Sequence, residues 1–139
     1  QTVLFRSTWE EKSQPYLQAP SGLPLVQHSL NVMLEFYHAG RISLERIVEK
    51  MSHAPATLFR IEERGFLDEG YWADMALVNL DHEWTVQPDN VLYKCGWSPL
   101  MGKTFRGKVQ STIVSGHLAW HEGQLREGKM GERLRFSTI

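Results

Sequence analysis

The chain has 139 residues, the length of one domain, with 42% hydrophobic and 22% charged residues, a balance that lets a globular protein bury a core without metals or disulfides. Its formal net charge of −1 leaves no electrostatic footprint for nucleic acid or an anionic membrane surface. No apolar run reaches the roughly 18 residues of a membrane span. No secretory signal is visible at the start, and the single cysteine, Cys95, excludes a disulfide within the chain and fits a cytoplasmic protein.

The opening stretch "QTVLFRS", Gln1 to Ser7, is an apolar cluster without a cap or turn. It reads as the end of a strand whose beginning is absent, so a piece of a larger protein is expected. Thr8 to Gln18 is polar and reads as a loop. Leu23 to His38 reads as the clearest helix, because Leu23, Val26, Leu30, Met33, Leu34 and Tyr37 recur at three- and four-residue steps and build one apolar stripe. Pro24 falls in its first turn, where a missing N–H costs little, and Gly40 closes it. A second helix is expected over Leu44 to Met51, with Ser43 as N-cap and Ile42 and Ile47 at the spacing of a hydrophobic staple. A third, short helix follows Pro55. After Gly65 the period becomes strand-like. "ADMALVNL", Ala73 to Leu80, and "EWTV", Glu83 to Val86, predict two strands, and Asp89 to Lys94 one helical turn. Gly96 to Gly107 reads as a long loop, Lys108 to Val114 as a strand, Ser115–Gly116 as a tight turn, and His117 to Gly123 as the returning strand. The charged tail from Gln124 is expected to fray. Helices and strands segregate along the chain, which argues for an α+β class.

The residues alone do not name a reaction. The six histidines form neither an HxH pair nor an HExxH helix motif. His117 and His121 lie on one expected strand, where four residues span roughly 13 Å, too far for a shared metal. His28 falls off the main helix stripe and reads as a packing or surface histidine. Cys95, beside Lys94 and Gly96 with no histidine nearby, reads as a packed small residue. Glu62, Glu63, Asp68 and Glu69 read as a solvated connector, and Trp72, Trp84, Trp97 and Trp120 as core or interface aromatics rather than a base-stacking platform. The stiff, backbone-exposing loop "QAPSGLPLVQHSL", Gln18 to Leu30, leaves two readings open: a helix entry, or a main chain that holds a ligand.

Three stretches together resemble the C-terminal part of a dihydroorotase, a member of the cyclic amidohydrolase superfamily. They are "TWEEKSQPYLQAPSGLPLVQHSL" (Thr8 to Leu30), "SHAPATLFRIEERGFLDEGYWADMALVNLD" (Ser52 to Asp81) and "VLYKCGWSPLMGKTFRGKVQSTIVSGHLAWHEG" (Val91 to Gly123). The middle one is shared with hydantoinases and allantoinases. The first and third are more specific to dihydroorotases. The resemblance implies the last helices of a (β/α)8 metal-dependent hydrolase barrel over residues 1–66, followed over 67–139 by C-terminal strands of the attached β-sandwich. It implies a parent enzyme of pyrimidine biosynthesis that interconverts N-carbamoyl-aspartate and dihydroorotate, a small-molecule substrate. One or two zinc ions would activate a hydroxide that attacks the ring amide carbon.

In that family the last barrel strand ends in a run like "TDHAPHT", whose aspartate is metal ligand and general base. This chain has "TVLFRST", Thr2 to Thr8. Val3 stands at the aspartate's position, Leu4 at the first histidine's and Ser7 at the second's, which helps bind substrate. The resemblance therefore assigns this chain no catalytic or metal residue, and zinc is expected in the full-length family but not on this stretch alone. It assigns substrate contact to Ser21 and Gly22, largely through backbone groups, because a glycine lets a planar ring approach the main chain. Pro20 and Pro24 stiffen the loop and lower the ordering cost of binding. Two alternatives stay open: another cyclic-amide hydrolase such as an allantoinase, and a non-catalytic amidohydrolase-like structural protein. Self-association into a homo-oligomer is expected if the helix stripe is left uncovered.

Overall fold

A computed structural model describes residues 7–128 and 131–138. The strand end expected over Gln1 to Ser7 therefore lies, except for Ser7, outside the described residues. Thr8 is the N-cap of a short helix, α1 (Trp9–Lys12), where the sequence reading expected only loop. The reason is a capping box: the Thr8 hydroxyl accepts from the Glu11 N–H, and the Glu11 carboxylate accepts from the Thr8 N–H at 2.8 Å. Reciprocal satisfaction of two orphan donors stabilises a turn that its polar composition would otherwise leave irregular.

The expected first helix is shorter than its stripe. A 3-10 turn spans Val26–His28 and α2 runs Ser29–His38. It ends in a Schellman motif, with the Arg41 N–H donating to the Phe36 carbonyl, the Gly40 N–H to that of Tyr37, and Gly40 at φ +68°. That left-handed cap is why glycine stands there. The stripe itself is a correction. Val26 is 76% and Leu23 50% exposed, whereas the buried positions are His28, Asn31 and Leu34. The face turned to the sheet is thus half polar, and part of the apolar stripe lies uncovered.

Ser43 caps α3 (Leu44–Val48) as expected. The helical path then continues through a π-helical turn (Glu49–His53) into α4 (Ala54–Leu58). The Ala54 N–H donates five residues back to the Glu49 carbonyl. Pro55 explains the widening: its ring crowds the carbonyl four residues earlier and offers no N–H to it.

Four antiparallel strands follow in a meander, in the order β1 (Met75–Thr85), β2 (Thr104–Val114), β3 (His117–His121), β4 (Gln124–Leu125). The two strands expected over 73–86 are one. Its ladder to β2 is interrupted between Asn79 and Glu83, which is why the alternation breaks there. The 88–90 segment is a 3-10 turn, and β2 begins at Thr104, inside the expected loop. Ser115 (φ +49°) and Gly116 (φ +82°) make the predicted hairpin turn. Glu122 (φ +46°) and Gly123 (φ +86°) repeat it, so the segment expected to fray instead forms β4. Further along, the Glu62 N–H donates to the Arg135 carbonyl and the Ser137 N–H to the Arg60 carbonyl.

α2 packs on β2. Phe105 and Val86 are fully buried, with Leu34 and Trp97 nearly so. Gly107 lies against the helix: a Cβ there would meet Leu34 Cδ1 at 2.9 Å. A second anchor joins the helical segment to the sheet. Buried Arg64 pairs with Asp74, donates to Ser115 Oγ at 3.2 Å and stacks 4.9 Å over the Trp72 ring. Among the described residues no helix is long and apolar enough to cross a membrane.

Candidate functional site

The loop that the sequence singled out is held from below by α1. Lys12, in the last turn of α1, donates from Nζ to the carbonyls of both Pro20 and Gly22. Gly22 has φ +87°, a backbone conformation that favours glycine. Pro24 is buried, while Ser21 and Gly22 are exposed. Among the described residues, the N–H groups of Ser21, Gly22 and Leu23 donate no hydrogen bond within the chain. The loop thus turns two carbonyls toward a cation and leaves three consecutive donors unpaired among the described residues. Such a surface suits a ligand rich in acceptor oxygens.

Aromatic contacts fix the entry to this loop. Buried Trp97 donates from Nε1 to the Ser7 carbonyl at 2.8 Å, and its ring meets that of Trp9 edge-on at 5.6 Å. Ser7 is itself buried, its hydroxyl without a partner among the described residues. Val3 and Leu4, at the positions of the family's aspartate and first histidine, lie outside the described residues.

On the far side of the loop the chain is locked to the 90–93 segment. The Gln27 N–H donates to the Tyr93 hydroxyl at 2.8 Å. The Gln27 side chain donates to the Asn90 carbonyl and accepts from the Leu92 N–H. Burial raises the Tyr93 hydroxyl's pKa, countered in part by the backbone N–H groups of Gln27 and His28. His28, next in sequence, is fully buried among Trp84, Tyr93 and Phe105. Its Nδ1 lies 3.4 Å from Ser98 Oγ, and its Nε2 has no partner among the described residues. Burial lowers its pKa; of the two readings the sequence left, surface and packing, packing holds.

The other residues weighed in the sequence take structural places. His121 Nδ1 meets Ser111 Oγ at 2.9 Å and His117 Nε2 meets the Arg126 carbonyl at 3.1 Å. Glu62, Glu63, Asp68 and Glu69 are all exposed. Cys95 is free and half-buried. Among the described residues no three His, Cys, Asp or Glu side chains gather to hold a metal ion. A groove of about 490 Å³ runs between Gln27, Trp84, Leu92, Trp120 and Leu125, but neither Ser21 nor Gly22 lines it. Sequence reading missed the roles of Lys12 and Trp9, whereas Trp97 is the core aromatic it expected. The Thr8-x-x-Glu11 spacing was the signal that would have placed Lys12 on a helix.

No family model matches the chain. It is 37% identical over 114 residues to a dihydroorotase of Pyrococcus furiosus, a match covering 82% of this chain and 27% of that protein. It is 33% identical over 125 residues to an allantoinase of Desulfitobacterium hafniense, covering 89% of this chain and 28% of that one. The solved L-hydantoinase (dihydropyrimidinase) of Arthrobacter aurescens superposes with a TM-score of 0.75 at 31% identity, over 80% of this chain and 25% of the other. The chain therefore spans about a quarter of the length of these relatives. Similarity in both sequence and fold makes it a member of the cyclic amidohydrolase superfamily. Its relatives within that superfamily include dihydroorotases at 33–37% identity as well as the allantoinase at 33%.

Proposed function

We propose that this chain supplies the substrate-loop portion of a dihydroorotase, an enzyme that interconverts N-carbamoyl-aspartate and dihydroorotate. The observation that carries the reading is the 37% identity to a dihydroorotase over 82% of the chain. The loop's chemistry supports it. Dihydroorotate presents ring carbonyls and a carboxylate, all acceptors. Ser21, Gly22 and Leu23 present free N–H donors. Gly22 lets a flat ring lie against the main chain, and the flanking Pro20 and Pro24 limit the entropy lost when it does. The chain's part is to bind and orient the ring, which is the geometric precondition for attack at its amide carbon.

The zinc that the resemblance implies finds no ligand set among the described residues.

The test compares substrates on the enzyme that contains this chain. Cyclisation of N-carbamoyl-aspartate, with no turnover of allantoin or hydantoin, is the expected result. Preference for allantoin would replace the dihydroorotase reading with an allantoinase one. The 139-residue chain assayed alone is expected to be inactive and to retain no stoichiometric zinc after dialysis. One zinc held per chain would reveal a ligand set beyond the described residues.

A further inference from the structure

We propose that Lys12 is the positioning residue of the Pro20–Pro24 loop, acting on its backbone rather than on a ligand. The inference rests on the reading of that loop as a substrate contact, and goes beyond it by naming what sets the loop's shape. Over residues 20–24 the two bonds from Lys12 Nζ, to the Pro20 and Gly22 carbonyls, are the only hydrogen bonds among the described residues. Every other tie lies at the flanks: the Gln18 and Ala19 N–H groups donate to the Pro15 carbonyl before the loop, and Gln27 and His28 are bonded after it. Pro20 and Pro24 narrow the choice of φ at two positions. Neither specifies Gly22, the residue with the widest conformational freedom in the segment.

An ammonium group offers three donors that can satisfy two converging carbonyls at once. Charge-assisted bonds of this kind are stronger than neutral ones. Lys12 makes no ion pair with a carboxylate among the described residues, so its charge is directed at the loop alone. Its own base is fixed independently. The Thr8–Glu11 capping box holds α1, and Trp9 holds α1 against Trp97. With both carbonyls drawn toward Lys12, the N–H groups of Ser21, Gly22 and Leu23 remain unpaired among the described residues.

The experiment is backbone ¹⁵N relaxation on this chain as wild type, Lys12→Met and Lys12→Arg, with thermal unfolding alongside. Methionine keeps the apolar stem and removes the donors. Arginine restores several donors on a cation. The expected result is an order parameter near 0.85 at Ser21 and Gly22 in the wild type, falling below about 0.6 in Lys12→Met. Lys12→Arg should recover most of that order, and α2 and β2 should stay unchanged in all three. A loop equally ordered in Lys12→Met overturns the proposal. So does loss of order spread through α1 and α2 that arginine does not rescue, because that outcome marks a general packing role. The substrate reading fails separately. An ordered, Lys12-dependent loop whose Gly22 substitutions leave kcat/KM of the enzyme untouched would keep the positioning role and end the ligand assignment.

Discussion

The Asn31 side-chain amide donates to the Gly107 carbonyl at 2.9 Å, across the contact between α2 and β2, and the Trp84 indole N–H donates to the same oxygen at 3.0 Å. One carbonyl in the bulged ladder thus ties a helix and a neighbouring strand together. Asn31 is nearly fully buried. Asn31→Ala should cost about 1–3 kcal/mol, since a buried partner is removed and a cavity remains. Gly107→Ala should cost at least as much. Gly107 has φ +113°, and a Cβ there meets Leu34 at 2.9 Å. Urea unfolding of both variants measures this. An Asn31→Ala loss below about 0.5 kcal/mol would show that water replaces the amide.

His28 makes stability depend on pH. Burial places its folded pKa below the ordinary histidine value of about 6.5. The unfolded chain therefore binds more protons as pH falls through that value, and the folded state loses ground. Stability should be full above about pH 6.5 and should decline below it, before the carboxylates titrate. Glu10 and Glu45, whose pKa values are lowered mainly by local hydrogen bonds, contribute only in the lower window near and below pH 4.5. His28→Phe should flatten the upper decline while leaving the lower one. An unchanged slope between pH 6.5 and 5 would remove His28 as the cause.

In the enzyme that contains this chain, Gly22→Val should lower kcat/KM by about a hundredfold, the scale of a misplacement near 1 Å. Ser21→Ala should change it little. Gly22 sits at φ +87°, so valine is strained there even without substrate. Gly22→Asn separates the two effects, because asparagine tolerates positive φ better than a branched residue. If asparagine preserves both stability and kcat/KM, the loop serves as a helix entry alone.

The uncovered apolar surface should make the chain associate with itself. Val26, Leu58, Phe59 and Leu67 are 76%, 75%, 62% and 79% exposed, apolar side chains that association would withdraw from water. Sedimentation should show oligomers that dissociate on dilution. Val26→Lys with Leu58→Lys should shift the population toward monomer. A compact monomer at high concentration would contradict the expectation.

Local signals determined much of this protein. The Ser43 cap, the Gly40 terminus, the Ser115–Gly116 hairpin and the α+β order of elements were legible, because each depends on neighbours within a few residues. So was the superfamily, carried by three motifs that span most of the chain. Tertiary structure decided the rest. It buried His28 and Asn31 and left Val26 in the open, an arrangement no helical periodicity announces, because the sheet offers a carbonyl and an aromatic cage where a purely apolar stripe would find neither. It joined two short strand signals into β1 across a bulge, since pairing with β2 continues past residues whose alternation fails. It gave the Gly22 loop its brace: Lys12 lies ten residues away, and only the folding of α1 back along the loop brings an ammonium to two carbonyls.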